Sequence, residues 1–271
     1  MDYKKYEKVI DLISKDNYII LRVILKSDKS PTKKFYILYK IKIKNDKELL
    51  QISNEVNRLK SINSKYIIKI YDFFTEQENG NKYACILIDN YREDLSYFLY
   101  HTNILKREII WKIFLQLIFL FRSYQYNNIC LKKLTINDIA LDEENNIKFI
   151  KIGDFIVFND FNEQNSIDYI SPEIRKGLKY SNKCNSWSLG CILYKLLFMK
   201  EPIIDNDFYS TGKVNIPYIG EEEFRIILSK LLCLEDKRAS IQELLENYII
   251  KNKLIEENLF NELSDNEIQS K

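Results

Sequence analysis

Residues 169–173 read YISPE and residues 185–197 read NSWSLGCILYKLL; KIGDF precedes them at 151–155, and LEDKRASIQELL follows at 234–245. The order of these four segments decides the fold. Their surroundings read mainly as helix. Arg107 to Tyr126 carries a broad apolar face and suits a long, mostly buried helix, and Ser186 to Phe198, Glu222 to Leu232 and Ile241 to Tyr248 repeat apolar residues at helical spacing. A strand pair fits Ile139 to Leu141 and Ile147 to Ile152 around the turn DEENN, and it sets Asp154 just after a strand. Beyond Lys251 acidic and apolar residues alternate, and Leu259, Phe260 and Leu263 would share one face of a terminal helix that docks or frays.

The N-terminal part has a different period. Tyr18 to Leu25 is a β-branched and aromatic run closed by the polar turn SDKSPTKK. In FYILYKIKI, residues 35–43, Ile37, Tyr39, Ile41 and Ile43 face one side and Tyr36, Leu38, Lys40 and Lys42 the other. Lys47 to Ser61 follows as a helix with Leu49, Ile52, Val56 and Leu59 on its apolar stripe. Two further strands, YIIKIYDFF and YACILID, are joined by the turn-like TEQENGNK. Glu55 lies on the helix's apolar stripe, where a carboxylate is costly unless paired, and Lys40 on the preceding strand is the natural partner.

Composition narrows the classes. The 271 residues are 46% apolar, enough for a sizeable core, and 41 Lys and Arg nearly balance 39 Asp and Glu, against a dedicated nucleic-acid binder. Five cysteines without a C-x-x-C pair and the single His101 leave little material for a zinc site or histidine catalysis. The charged start MDYKKYEKV lacks a signal-peptide core, and the apolar stretch 109–121 falls short of the roughly 20 residues of a membrane span. The expectation is a cytoplasmic chain, with the nucleus left open, that binds neither nucleic acid nor membrane.

From about residue 6 to 250 the ordered segments resemble a eukaryotic protein kinase domain, and NEV and SPE resemble NIMA-related serine/threonine kinases. The resemblance implies an α+β, two-lobed fold: a kinase-like domain over 1–250, with a small β-rich N-lobe over about 1–91 and a helical C-lobe over 92–250, then a tail over 251–271. Lys40, in I-L-Y-K for V-A-I-K, resembles the strand lysine that holds nucleotide phosphates, and Glu55 the helix glutamate that orients it. Asp154 resembles the D-F-G aspartate that binds magnesium. Glu173 matches the A-P-E glutamate, which pairs in the family with the arginine at Arg238, and Trp187 and Gly190 match D-x-W-x-x-G. Lys40, Glu55, Leu38, Asp89 and Ala140 would line a nucleotide site and Asp154 and Asp138 hold Mg²⁺, if either ligand is retained.

The pattern breaks where the chemistry is. The family's H-R-D-L-K-P-x-N corresponds to residues 131–138, L-K-K-L-T-I-N-D. Lys133 therefore stands where a carboxylate would accept the substrate hydroxyl proton, and Thr135 where a lysine steadies the γ-phosphate. Asp138 replaces the metal-binding asparagine and could still ligate magnesium. Asn185 replaces the aspartate that anchors this loop's backbone. The phosphate-covering glycines become Ser14, Asp16 and Ile19, with no glycine before Gly80, so backbone amides lose their close approach to phosphates. Leu38, replacing a small alanine, would project into the adenine space above Ala140. D-F-G becomes Asp154-Phe155-Ile156, which stiffens the activation segment. An ammonium at Lys133 near Asp138 and Asp154 could stand in for the metal, at a Coulomb scale of about 4 kcal/mol at roughly 4 Å and an effective dielectric of about 20.

Two functions stay open. A catalytically impaired pseudokinase would act as a scaffold or allosteric regulator through a protein partner, an active kinase or its substrate. An atypical serine/threonine kinase would transfer phosphate by positioning and charge neutralisation alone. ATP and Mg²⁺ are expected to bind weakly or not at all. Ser166, Tyr169 and Ser171 lie where a regulatory phosphorylation would fall.

Overall fold

In a computed structural model, which describes residues 5–127, 129, 131, 133–150, 168–204 and 206–265, the alternating runs of the N-terminal part build a five-stranded antiparallel sheet. In chain order its elements are β1 (Tyr6–Ser14), β2 (Tyr18–Leu25), β3 (Phe35–Ile43), α1 (Asp46–Ser61), β4 (Ile70–Glu78) and β5 (Asn81–Asp89), and the strand order is β1-β2-β3-β5-β4. Ser14 pairs with Ile19, and Lys15 N–H donates to the Tyr18 carbonyl at 2.9 Å, so Asp16 lies exposed in the tight turn between β1 and β2. Helix α1 starts where Asn45 accepts from Glu48 N–H at 2.9 Å, with Asp46 and Glu48 in its first turn and Arg58 and Lys60 in its last, each complementing the helix dipole.

The polar stretch TEQENGNK is not all turn. The turn is confined to Asn79 and Gly80, at φ 51° and 76°, the paired positive values of a two-residue hairpin loop. Residues 75–78 consequently extend β4, with Glu76 opposite Tyr83 and Glu78 opposite Asn81.

The two faces of the sheet bury different sets. Cross-strand partners share a face. Leu38 is paired with Leu21 and Leu87, and Cys85 with Phe74, and these join Tyr6, Val23 and Tyr36 in one apolar cluster. The Tyr6 ring stacks on Phe74 at 6.2 Å, so the sheet curls until its two edge strands touch. On the opposite face Ile37, Tyr39 and Ile41 are paired with Ile88, Ile86 and Ala84, all buried. Helix α1 packs on β3 and β4, and among the described residues its buried stripe, Ile52, Val56 and Leu59, has no part in the Tyr6 cluster. The stripe is therefore assigned to the Ile37 face.

The remaining elements are β6 (Glu93–Asp94), α2 (Leu95–Tyr100), α3 (Arg107–Tyr126), β7 (Ile139–Leu141), β8 (Ile147–Phe149), α4 (Pro172–Arg175), α5 (Lys183–Phe198), α6 (Asn206–Thr211), α7 (Glu222–Leu231), α8 (Ile241–Glu246), α9 (Tyr248–Glu256) and α10 (Glu262–Asp265). The described residues form two compact units: those within 1–94, 138–144 and 148–159, and those within 95–137, 145–147 and 160–271. The first is the β-rich unit, the second the helical one. In the second, α3 is buried from Ile113 to Tyr124, and Gln116 is satisfied there by Asn146 and by the Ile147 N–H, at 2.9 and 2.8 Å.

The C-terminal helices differ from their predicted spans. Asn247 ends α8 and its side chain accepts from Ile249 N–H at 3.0 Å, opening α9. Asn258, at φ 55°, stops α9, so Leu259, Phe260 and Leu263 do not share a helical face. The segment instead returns to α3, where Arg122 Nη2 donates to the Leu263 carbonyl at 3.2 Å. No helix among the described residues is long and apolar enough to cross a membrane.

Candidate functional site

The helical unit carries the framework residues. Arg238 grips Glu173 with two bonds, Nη1 to Oε1 at 2.6 Å and Nη2 to Oε2 at 3.0 Å, both groups buried. The guanidinium also donates to the Cys233 and Lys183 carbonyls and lies over the Trp187 ring. Burial works against the Glu173 charge, but the Arg238 bonds prevail and hold the carboxyl below its ordinary value. Trp187 Nε1 donates to the Asp168 carbonyl at 3.0 Å, and Ser188 Oγ to that of Tyr169 at 2.8 Å. A Cβ on Gly190 would lie 2.8 Å from side-chain atoms of Leu231 and Leu232, so the glycine lets α5 approach the end of α7.

The same helix anchors the loop that should carry catalysis. Leu131 N–H donates to buried Asn185 Oδ1 at 3.1 Å, so the neutral side chain takes the anchoring bond. Lys133, half-buried, stands in this anchored loop, and Thr135 Oγ1 accepts from Asn137 N–H at 3.3 Å. Asp138 belongs to the β-rich unit, where it is buried and its carbonyl accepts from Ile150 N–H at 3.0 Å. Asp154 and the D-F-I segment lie outside the described residues, as do Ser166 and Cys130. Tyr169 and Ser171 are buried, one holding Ser188 through its carbonyl and the other preceding α4, and neither is exposed for modification.

The expected Lys40–Glu55 pair does not form. Lys40 Nζ lies 2.9 Å from Glu76 Oε2 and 2.5 Å from Glu78 Oε2, with the Tyr83 ring 5.0 Å away. Glu55 is bound by Arg58, one turn on in its own helix, with Nε to Oε2 at 2.8 Å and a second bond from Nη2 to Oε1. The reason is the pleat. Lys40 shares its face with Leu38 and Cys85, whereas α1 belongs to the face of Tyr39. Burial disfavours the Lys40 charge, yet the bonds to Glu78 and Glu76 raise its affinity for the proton. Burial and the nearby Glu76 carboxylate push the Cys85 thiol up to about 12.

The other nucleotide-site expectations place as follows. Leu38 is fully buried in the sheet's own cluster against Leu21 and Leu87, so its bulk packs the sheet instead of filling an adenine space. Asp89, at the end of β5, is paired with Lys34 at 3.1 Å, and that lysine also donates to Tyr71 Oη at 2.8 Å. Ala140, buried on β7, is opposite Asp94. On the α1-facing side stands a group the sequence did not flag: Tyr39, whose hydroxyl is 3.2 Å from that of Tyr91 and whose burial keeps the phenol protonated well beyond its ordinary range. Glu76 and Glu78 escape sequence reasoning for a different reason: the polar stretch that holds them reads as turn, whereas both stand in the β4 ladder.

A five-stranded antiparallel sheet with one helix, then a helical unit organised around a buried Glu–Arg pair and an anchored loop, defines a two-lobed α+β protein-kinase fold. The protein kinase domain family matches residues 23–250, and the chain belongs to the eukaryotic protein kinase superfamily. Relatives include serine/threonine-protein kinase Nek2 of Homo sapiens, 27% identical over 231 residues covering 75% of this chain and 51% of its own length. The probable serine/threonine-protein kinase nek2 of Dictyostelium discoideum is 26% identical, with 76% and 54% covered. NUAK family SNF1-like kinase 1 of Mus musculus is also 26% identical, with 74% and 32% covered. The Nek relatives agree with the NIMA-related resemblance of NEV and SPE. The chain spans about half the length of these Nek2 relatives.

Proposed function

We propose that the chain is a pseudokinase: a protein-kinase fold, descended from serine/threonine kinases, that binds a protein partner and regulates it without transferring phosphate. The observation that carries this is Lys133. The loop around it keeps its anchor, Leu131 N–H on Asn185 Oδ1 at 3.1 Å, yet presents an ammonium where the reaction needs a carboxylate. A lysine that holds its proton cannot accept one from a hydroxyl, and Thr135 offers no charge to a γ-phosphate.

Protein kinase domains generally bind ATP and Mg²⁺, the metal neutralising the transferring phosphate. The residues here fit the nucleotide poorly, since the strand lysine is already held between two carboxylates and Glu55 does not reach it. The partner is taken to be an active kinase or its substrate, met in the cytoplasm. The test is radiolabelled phosphate transfer to a generic serine/threonine substrate and to the chain itself, with Mg²⁺ or Mn²⁺. Wild type is expected to give no transfer above a no-protein control, and Lys133→Asp alone is expected not to restore it. Transfer by the wild type above that control would return the chain to the active kinases.

A further inference from the structure

We infer that Lys40 is an internal counter-ion that ties β3 to the β4 edge of the sheet, and that phosphate groups are not its ligands. The inference goes beyond the pseudokinase reading, because it concerns the sheet alone and holds whether or not phosphate is transferred.

Three independent observations converge on it. The first is the face. In the β3–β5 ladder Lys40 is opposite Cys85, and in the β2–β3 ladder it is opposite Ile19, so its side chain leaves the sheet on the side of the Tyr6–Phe74 cluster. Tyr39, with the opposite sense, takes the side assigned to α1. Rotating Lys40 toward Glu55 would slip β3 by one residue and turn Ile37, Tyr39 and Ile41 out of their buried positions.

The second is saturation. The Lys40 side chain is 4% exposed, and its ammonium meets Glu76 and Glu78 at 2.9 and 2.5 Å. Those carboxylates stand two residues apart on one strand, on the same face, so a single amine bridges both. A phosphate would have to displace a carboxylate while approaching a site whose local balance is already negative. The third is the turn. The Asn79–Gly80 loop makes β4 long enough to carry Glu76 and Glu78 to this position, and a longer loop would leave them in solvent.

The experiment is a set of double-mutant cycles on the full chain, read by thermal unfolding. Lys40→Met is expected to lower the melting temperature by several degrees. Changing Glu76 and Glu78 to Gln in the same chain is expected to recover much of that loss, while Glu55→Gln adds to Lys40→Met independently. Coupling of Lys40 to Glu55, with independence from Glu76 and Glu78, would overturn the inference. A second measurement covers the case that Lys40→Met fails to fold: acylation of the native wild type with N-hydroxysuccinimidyl acetate, followed by peptide mass. Lys40 is expected to react at least about tenfold more slowly than exposed Lys33 and Lys60, since its amine must first leave the pair, and at a rate that MgATP does not change. Ready acylation that millimolar MgATP suppresses would overturn it. Phosphate transfer by the wild type would sink the pseudokinase reading and leave this one standing, so the two failures are distinguishable.

Discussion

Arg238 reaches 65 residues back along the chain to Glu173, and the pair shows what a buried ion pair does for a fold. Its net contribution against an apolar pair of the same shape is small, but removing one partner strands the other without water. Arg238→Met is therefore expected to cost about 3–5 kcal/mol, measured by urea unfolding at neutral pH. The pH dependence has a definite sign. Because the Glu173 carboxyl titrates below its ordinary value of 4.5, the unfolded chain takes up this proton first, so its contribution is complete above pH 4.5 and is lost as pH falls through the lower folded value. The stability gap between wild type and Glu173→Gln should thus hold from pH 7 to 5 and narrow below 4.5. A gap that widened on acidification would contradict the pairing.

Elements were legible where a period or a dipeptide spoke for them. The alternation of FYILYKIKI already set Lys40 beside Lys42, opposite the wholly apolar row Ile37, Tyr39, Ile41 and Ile43 that a helix stripe would seek. Motif order pointed the other way, toward Glu55, because the order of segments along a chain says nothing about which face a side chain takes. Polar composition hid the ends of β4 and β5 in the same fashion, although Asn79-Gly80 was itself the hairpin signal. The contact between α5 and the end of α7 was legible only as a matched glycine. Gly190→Ala is expected to destabilise by about 1–3 kcal/mol through overpacking, with the helices retained by circular dichroism. No loss in urea midpoint would show that Leu231 and Leu232 can move aside.

At the scale of the whole molecule, the β-rich and helical units follow from the change of period along the sequence, and the family match covers most of the chain. The surroundings of Lys40 and Leu38 were not legible in the same way, since they depend on side-chain direction within the sheet. A ligand at 100 times its dissociation constant adds about 2.7 kcal/mol to stability, several degrees for a domain of this size. Millimolar ATP, with or without Mg²⁺, is expected to leave the melting temperature unchanged. A metal-dependent rise would mean that nucleotide is held, and the acylation experiment would then show whether Lys40 takes part.

The clasp of Tyr6 on Phe74 has a mechanical consequence for the β1–β2 hairpin. Tyr6 Oη also donates to Asp72 Oδ2 at 3.3 Å, and burial together with that carboxylate pushes its pKa up to about 12, so the bond persists across the physiological range. A flap that clamps and releases a ligand needs a free edge and a hinge of its own. This hairpin is buttoned at its base to the far margin of the sheet. It rises and falls with β4, as the stave of a cask moves with its neighbours.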